Sequence, residues 1–276
     1  MNLVVQGPGL RESEAQALAQ LVRAKAVQPI AASAFRLRDA TPNDTVARWA
    51  EERRLDYAFM PEGRRFAELK LLAMDMDSTL ITIECIDELG DLAGKKAEIA
   101  AITAQAMRGE IEYRESLRRR VASLSGLAES SLAKIYAERL KLTPGADALI
   151  AACKRHGVKL LLVSGGFTFF TERLKQRLGI DHTISNVLEV KGGKLTGALV
   201  GEIVDADAKA AKFRDVLSKL NATREQSVAI GDGANDLKMM KEAGWSVAFR
   251  AKPVVQAQAS CALNWSGLDG VVNLFE

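Results

Sequence analysis

From residue 70 onward, short apolar runs typical of buried strands alternate with segments of helical periodicity. The runs KLLAM, VKLLLVS, SVAI and SVAF are apolar almost throughout, as strands covered on both faces of a sheet are. The segments between them include ADALIAACKRHG and DAKAAKFRDVLSKL, whose apolar residues recur every three or four positions. This alternation predicts an α/β fold built on a doubly wound, Rossmann-like parallel sheet. Gly192 and Gly193, within an alternating stretch, predict one β-hairpin.

A long helical segment interrupts this alternation after the first core strand. From about residue 86 to 142 the pattern is helical and no strand-like run occurs, until Thr143-Pro144-Gly145 ends it. Because about 57 residues are too many for a simple crossover, we expect an inserted helical cap over one edge of the sheet.

The N-terminal residues follow a different pattern. LVVQ, IAASAFRLRD and YAFM each have strand character, and two helical segments separate them, which predicts a β-α-β-α-β order. None of the chemical signals found later occurs here. We therefore predict a small α/β domain over residues 1–68 and a second domain over residues 69–276.

Composition restricts the classes of function. The chain has 38 Lys and Arg against 35 Asp and Glu, and this net charge of +3 favours neither nucleic acid nor membrane as a partner. No run of about 18 apolar residues occurs, and the first residues lack the pattern of a signal peptide. The three cysteines lie far apart, which predicts buried thiols rather than disulfides and a cytoplasmic location.

Three of the predicted strands end in polar sequence: AMDMDST, LVSGG and AIGDGAND. Ligands of open α/β sheets bind beyond the carboxyl ends of the strands, so Asp75, Asp77, Asp232 and Asp236 are expected near one another. Such carboxylates repel and raise each other's pKa values, and a divalent cation removes the conflict. Oxygen ligands without His or Cys favour Mg²⁺ over zinc. A lone DxD is often a solvated turn, but the second acidic turn argues against that alternative.

The other polar side chains suggest a seat for a phosphate group. Ser164 offers a hydroxyl, and Gly165 can expose its backbone N–H at the start of a helix. Lys209 or Lys212 could neutralise the phosphate. Each feature alone has a common alternative, a flexible turn or a solvated lysine, and the combination carries the prediction.

Carboxylates and a phosphate seat together predict phosphoryl transfer. One carboxylate can attack phosphorus and form an aspartyl phosphate, while a second moves the proton of the leaving oxygen. A DxD sequence at a strand end supplies both groups, and a metal ion lowers the repulsion between them.

The motifs of residues 70–276 resemble, in order, those of the phosphoserine phosphatase family in the haloacid dehalogenase superfamily. The resemblance covers about three quarters of the chain and rests on DMDSTLITIECIDEL, ITAQAMRGEIEYRESLRRRV, LTPGADALI, LVSGGF, KLTGALVGEIV, VAIGDGANDLKMMKEAG and AKPVV. It implies Mg²⁺-dependent hydrolysis of O-phospho-L-serine in serine biosynthesis, through a phosphoaspartate.

The resemblance also implies the role of each residue. The nucleophile is Asp75 and the general acid and base is Asp77. The metal is held by Asp75, Asp232 and the backbone carbonyl of Asp77, with Asp236 in support. The phosphate is held by Ser164, Gly165, Lys209 and Asn235, with Lys209 favoured over Lys212 by its spacing to Gly231.

Recognition of the serine moiety is assigned to the cap. The family pattern places Glu84 on the ammonium group and Arg120 on the carboxylate, which an arginine fork can grip at two points. Successive helical residues differ by about 100° in direction, so at most one of Arg118, Arg119 and Arg120 can point squarely into the site. Only the resemblance selects Arg120. Met107 is either near the substrate or in the core, and Tyr113 replaces a Phe that is frequent in the family.

The sequence is also compatible with other functions. A phosphatase or phosphotransferase for another small phosphomonoester differs only in the cap residues. A non-catalytic binding protein or a structural metal module would not need the complete set of catalytic residues. Some members of the family carry ACT-like regulatory domains at the N-terminus, but residues 1–68 have one predicted strand too few for a βαββαβ unit. Amino-acid sensing, docking and formation of a homodimer are the three alternatives for this segment.

Overall fold

The N-terminal residues form a four-stranded antiparallel sheet with two helices in the computed structural model, which describes residues 1–276. Its elements are β1 (Asn2–Gln6), α1 (Glu12–Leu21), β2 (Ala26–Ala31), β3 (Ala34–Arg38), α2 (Thr45–Glu52) and β4 (Asp56–Met60). The strand order is β2-β3-β1-β4, so the unit is a complete βαββαβ arrangement.

The expectation of a missing strand is therefore wrong. The predicted strand IAASAFRLRD contains a hairpin, in which β2 and β3 pair from Ala31 and Ala34 across Ala32 and Ser33. Two-residue hairpin turns normally carry Gly, Asn or Asp, and this turn has none of them. The sequence therefore reads as one continuous strand.

The remaining strands form the predicted doubly wound sheet. They are β5 (Leu71–Met74), β6 (Lys159–Phe167), β7 (His182–Lys191), β8 (Lys194–Val200), β9 (Ser227–Gly231), β10 (Trp245–Phe249) and β11 (Cys261–Leu263). Their order is β11-β10-β9-β5-β6-β7-β8, and every neighbouring pair is parallel except the hairpin of β7 and β8. From β5 the chain passes through β6 and β7 to β8 at one edge, then returns to β9 on the other side of β5 and continues to β10 and β11. This order confirms the predicted doubly wound topology.

The same part of the chain contains ten helices. They are α3 (Cys85–Leu92), α4 (Lys96–Met107), α5 (Tyr113–Ala122), α6 (Ser130–Glu138), α7 (Ala146–His156), α8 (Thr168–Leu178), α9 (Ala206–Lys219), α10 (Leu237–Glu242), α11 (Pro253–Gln256) and α12 (Gly270–Asn273). Leu72 and Met74 of β5 pack into one apolar cluster, and Leu71 and Ala73 pack into another on the opposite face. No helix combines the length and apolar character needed to cross a bilayer.

The helices α3 to α6 form the cap, which leaves the sheet directly after β5. Two chain segments make its neck: Thr82 N donates to Lys141 O at 3.0 Å, and Thr143 N donates to Leu80 O at 3.0 Å. At its far end the cap bonds to the β7–β8 hairpin through Gly126 N and Leu195 O, 2.8 Å apart. The cap is thus fixed at two points beside the carboxyl ends of the strands.

The N-terminal sheet packs against the C-terminal residues of the core. Oδ1 and Oδ2 of Asp56 accept backbone N–H groups of Asn264, Trp265 and Ser266, the shortest at 2.6 Å. Arg36 donates to the carbonyls of Asn273 and Phe275. These hydrogen bonds involve the charged side chains of Asp56 and Arg36, and they are buried or partly buried. Hydrogen bonds to charged groups are among the stronger ones, so they hold the interface firmly.

Candidate active site

The first acidic motif lies on an unusual turn after β5. Leu80 N donates to Asp75 O at 3.3 Å and Ile81 N donates to Met76 O at 3.0 Å, both to the fifth residue before. Inside this turn Ser78 has φ +55°, a left-handed conformation that is uncommon outside glycine. The turn directs the side chains of Asp75 and Asp77 into one crevice at the carboxyl ends of β5, β6 and β9.

Asp77 is held by hydrogen bonds from the beginning of the cap and from β6. Its Oδ1 accepts Cys85 N at 2.9 Å, and its Oδ2 accepts the Ser164 hydroxyl at 3.3 Å. The Ser164 oxygen in turn accepts Gly166 N at 2.8 Å. Burial raises the pKa of Asp77, and the bonds from Cys85 partly offset that rise. The group is suited to carrying a proton.

Lys209 is the cation at the centre of the crevice. Its Nζ lies 2.8 Å from Oδ1 of Asp75 and 2.8 Å from Oδ1 of Asp236, and the lysine is fully buried. The two carboxylates outweigh burial and raise the pKa of Lys209, so it stays charged. Lys212 instead pairs with Asp215 at the surface, 3.6 Å away.

The crevice has a carboxylate cluster that could hold a metal ion. One oxygen from each of Asp75, Asp232 and Asp236 lies within 4.8 Å of the others. Burial and the charge of Asp236 raise the pKa of Asp232 to about 6, and the same causes raise that of Asp75. Three carboxylates around one lysine leave excess negative charge, and an oxygen-only donor set fits a hard divalent cation. The Asp77 carboxylate is not part of this cluster.

Asp236 enters the cluster although only a supporting role is expected for it. Its Oδ1 accepts from Lys209, and its Oδ2 accepts Gly233 N at 3.1 Å. Its side chain packs on Gly231, where a Cβ atom would lie 2.5 Å from that of Asp236. Asn235 is half-buried in the same turn, with its Oδ1 against Gly233.

Glu84 and Arg120 lie on the cap side of the crevice. Glu84 directly precedes α3 and accepts the Ser78 hydroxyl at 2.6 Å. Although its side chain reaches solvent, surrounding protein and the charge of Asp77 raise its pKa to about 7. Arg120 on α5 has a buried Nε with no hydrogen-bond partner, while Arg118 and Arg119 are exposed.

Met107 and Tyr113 are two further residues of the cap. Met107 ends α4 with 66% of its surface exposed, so the core alternative is wrong. Tyr113 begins α5, and its hydroxyl touches Gly165, where a Cβ atom would lie 2.3 Å from that oxygen. A side chain at position 165 would therefore displace the Tyr113 hydroxyl.

Sequence reasoning missed several contacts of the crevice. Thr79 donates to Asp232 at 3.4 Å, and the backbone of Cys85 positions Asp77. Asn186, on β7, bonds to the carbonyl of Gly165 at 2.8 Å. The one signal for Asn186 was a polar residue within the strand sequence ISNVLEV, whereas a backbone N–H such as that of Cys85 leaves no signal at all.

Comparison with known proteins agrees with this geometry. The sequence profile of haloacid dehalogenase-like hydrolases matches residues 72–241, and a domain of unknown function matches residues 3–48. A phosphoserine phosphatase from a Polaromonas species is 54% identical over 215 residues, which cover 76% of this chain and 91% of that protein.

Solved structures extend the similarity to the whole fold. The unliganded structure of a probable phosphoserine phosphatase from Vibrio cholerae has a TM-score of 0.87 and 36% identity, covering 99% of this chain and 86% of that one. A substrate-bound phosphoserine phosphatase has a TM-score of 0.71 and 36% identity, covering 75% of this chain and 99% of that one. The chain therefore belongs to the haloacid dehalogenase-like hydrolases and, within them, to the phosphoserine phosphatase family.

Proposed function

We propose that the chain hydrolyses O-phospho-L-serine to L-serine and phosphate through a phosphoaspartate on Asp75. The observation that carries this proposal is the different bonding of two carboxylates on one turn. Asp75 faces the charged Lys209, whereas Asp77 faces a hydroxyl and a backbone N–H. Such a pair can divide the work of a nucleophile and a proton carrier.

In the first step a carboxylate oxygen of Asp75 attacks phosphorus, and the bond from phosphorus to the serine oxygen breaks. Asp77 gives its proton to that leaving oxygen. The raised pKa of Asp77, which follows from its burial, supports this role because a protonated carboxyl is required.

In the second step the ionised Asp77 takes a proton from a water molecule, whose oxygen attacks phosphorus. The bond from phosphorus to Asp75 breaks and releases inorganic phosphate. Asp77 is again protonated and Asp75 is again a carboxylate, so the cycle is balanced.

The phosphate group is bound in this proposal by Ser164, Gly165, Lys209 and Asn235. Lys209 supplies a fixed positive charge beside Asp75. Asp75, Asp232 and the backbone carbonyl of Asp77, with Asp236 in support, would hold Mg²⁺, which would neutralise the charge of the two anions as they approach each other. The excess of carboxylates over cations in the crevice supports this choice.

The serine moiety is bound by Glu84 and Arg120. A carboxylate complements the ammonium group, and an arginine fork complements the carboxylate of the substrate. The buried, unpartnered Nε of Arg120 supports this assignment, since such a group normally has a hydrogen-bond partner. Other small phosphomonoesters remain the alternative substrates, because they would use the same phosphate seat.

Residues 1–68 are proposed to form a domain that docks on the core rather than one that takes part in the chemistry. The hydrogen bonds of Asp56 and Arg36 to backbone groups of the C-terminal residues support a fixed docking role. We also propose a cytoplasmic location, which the three buried, unpaired cysteines support.

A phosphate-release assay over a panel of phosphorylated small molecules tests the proposed function. O-phospho-L-serine should give the highest kcat/KM in the panel, and removal of Mg²⁺ by a chelator should abolish turnover. Equal rates on sugar phosphates, phosphoserine and aryl phosphates would contradict the substrate assignment.

A further inference from the structure

The strand β6 leaves its neighbour β7 at the phosphate seat. Val163 pairs with Ile184 and Phe167 pairs with Asn186, so three residues of β6 lie opposite the single residue Ser185 of β7. The three residues are Ser164, Gly165 and Gly166. A bulge of this kind takes backbone groups out of the regular pairing, and those groups need other partners.

The side chain of Asn186 supplies one such partner. Its Nδ2 donates to Gly165 O at 2.8 Å, and its Oδ1 accepts Val204 N at 2.8 Å. The side chain is almost completely buried. Only one orientation of the amide satisfies both bonds, because the N–H group must donate and the oxygen must accept.

The second bond reaches the other wall of the phosphate seat. Val204 precedes Asp205, the N-cap residue of α9, whose side chain accepts Ala208 N at 3.0 Å. One turn further, Lys209 N donates to Asp205 O at 3.0 Å. The amide of Asn186 therefore connects the bulge of Ser164 and Gly165 to the start of the helix that carries Lys209.

We propose that Asn186 is a positioning residue that sets the distance between the two walls of the phosphate seat. It does not touch phosphate, and it acts through Gly165 on one side and through α9 on the other. This inference rests on the proposed function, in which Gly165 and Lys209 bind the same phosphate group.

The proposal predicts a specific pattern of kinetic constants. Asn186→Leu keeps the size of the side chain but leaves a buried carbonyl and a buried N–H without partners. Leaving one such buried group without a partner costs the equivalent of about a factor of 10 or more in an equilibrium constant. The inhibition constant of inorganic phosphate, measured against p-nitrophenyl phosphate, should rise about 10-fold or more in this variant.

The ratio of kcat/KM for phosphoserine to that for p-nitrophenyl phosphate should stay at its wild-type value, because Asn186 acts on the phosphate that both substrates share. Ser185→Ala is the matched control. It removes a side-chain bond to Thr171 from the same strand without affecting the bulge, and its phosphate inhibition constant should match that of the wild type.

A second variant keeps the test decisive if Asn186→Leu does not fold. Asn186→Asp retains an acceptor for Val204 but turns a carboxylate oxygen toward Gly165 O, so it should also weaken phosphate inhibition. Unchanged phosphate inhibition and unchanged KM in a folded variant, with only a lower melting temperature, would overturn the proposal. Failure of the wild type on phosphoserine, with p-nitrophenyl phosphate still hydrolysed, would overturn only the substrate assignment.

Discussion

The Nζ atom of Lys209 lies 2.8 Å from Oδ1 of Asp75, and both side chains are buried. The contact places a permanent positive charge beside the proposed nucleophile. A charge in this position lowers the free-energy cost of bringing a phosphate dianion to a carboxylate. It neutralises part of the carboxylate charge before substrate binds, and it attracts the phosphate group when substrate is bound.

Lys209→Met is expected to damage both stability and catalysis. The change leaves Asp75 and Asp236 buried without their cation, a loss of about 3–5 kcal/mol in the free energy of unfolding. We expect kcat/KM for phosphoserine to fall about 10²-fold or more. Urea unfolding and steady-state kinetics measure the two effects. Lys212→Met is the control. Equal losses of stability and of kcat/KM in both variants would contradict the proposed role of Lys209 beside Asp75.

Arg120→Ala is expected to lower selectivity for phosphoserine. The substrate carboxylate loses its partner, which costs about 10- to 100-fold in kcat/KM. p-Nitrophenyl phosphate has no carboxylate and should be hydrolysed at near wild-type efficiency. The exposed Arg119, which pairs with Glu115, provides the control variant Arg119→Ala. Equal losses on both substrates would show that Arg120 does not recognise the serine carboxylate.

The pH dependence of substrate selectivity should report Glu84. The surrounding protein and the charge of Asp77 raise the pKa of Glu84 to about 7, so the carboxylate that binds an ammonium group is lost as the pH falls through 7. The pH dependence of kcat/KM reports the pKa values of groups in the free enzyme. The ratio of kcat/KM for phosphoserine to that for p-nitrophenyl phosphate should therefore drop about tenfold between pH 8 and pH 6.

Glu84→Gln separates this effect from the ionisation of the substrates. The glutamine does not titrate, so the ratio should be low at all pH values. The roughly tenfold drop that comes from protonation of Glu84 should be absent, and only the ionisation of the substrates should still change the ratio. A variant whose ratio follows the wild-type profile would contradict the assignment of Glu84.

Asp56→Ala is expected to destabilise the junction between the N-terminal sheet and the core. Three backbone N–H groups lose their charged acceptor, which should lower the free energy of unfolding by about 3 kcal/mol. KM for phosphoserine should not change, since the junction is proposed to be a docking surface. The exposed Glu51 offers the control Glu51→Ala, and a loss below about 0.5 kcal/mol in both variants would refute the prediction.

The arrangement of the strand ends could be predicted because parallel strands place their carboxyl ends at one edge. Asp75, Asp77, Ser164 and Asp232 each follow or end a strongly apolar run, so their convergence needed no knowledge of loops. The cap is different. Which of three successive arginines turns inward depends on how α5 packs, and helical periodicity of a charged segment does not fix that.

Other features cannot be predicted from the sequence because the residue types at those positions do not indicate them. The turn at Ala32 and Ser33 contains no Gly, Asn or Asp, so the sequence of this hairpin predicts a single strand. Asn186 acts through hydrogen bonds to backbone atoms of Gly165 and Val204, which are distant in sequence. Contacts of this kind depend on tertiary packing and leave only a polar residue within a strand as evidence.

Phosphate release by Asp75→Asn on O-phospho-L-serine with Mg²⁺ tests the central claim most directly. The amide keeps the shape of the side chain but is not a nucleophile, so the rate should fall about 10³-fold or more. Asp147→Asn, at an exposed aspartate in the first turn of α7, should retain the wild-type rate. A folded Asp75→Asn variant that releases phosphate at near the wild-type rate would contradict the phosphoaspartate mechanism.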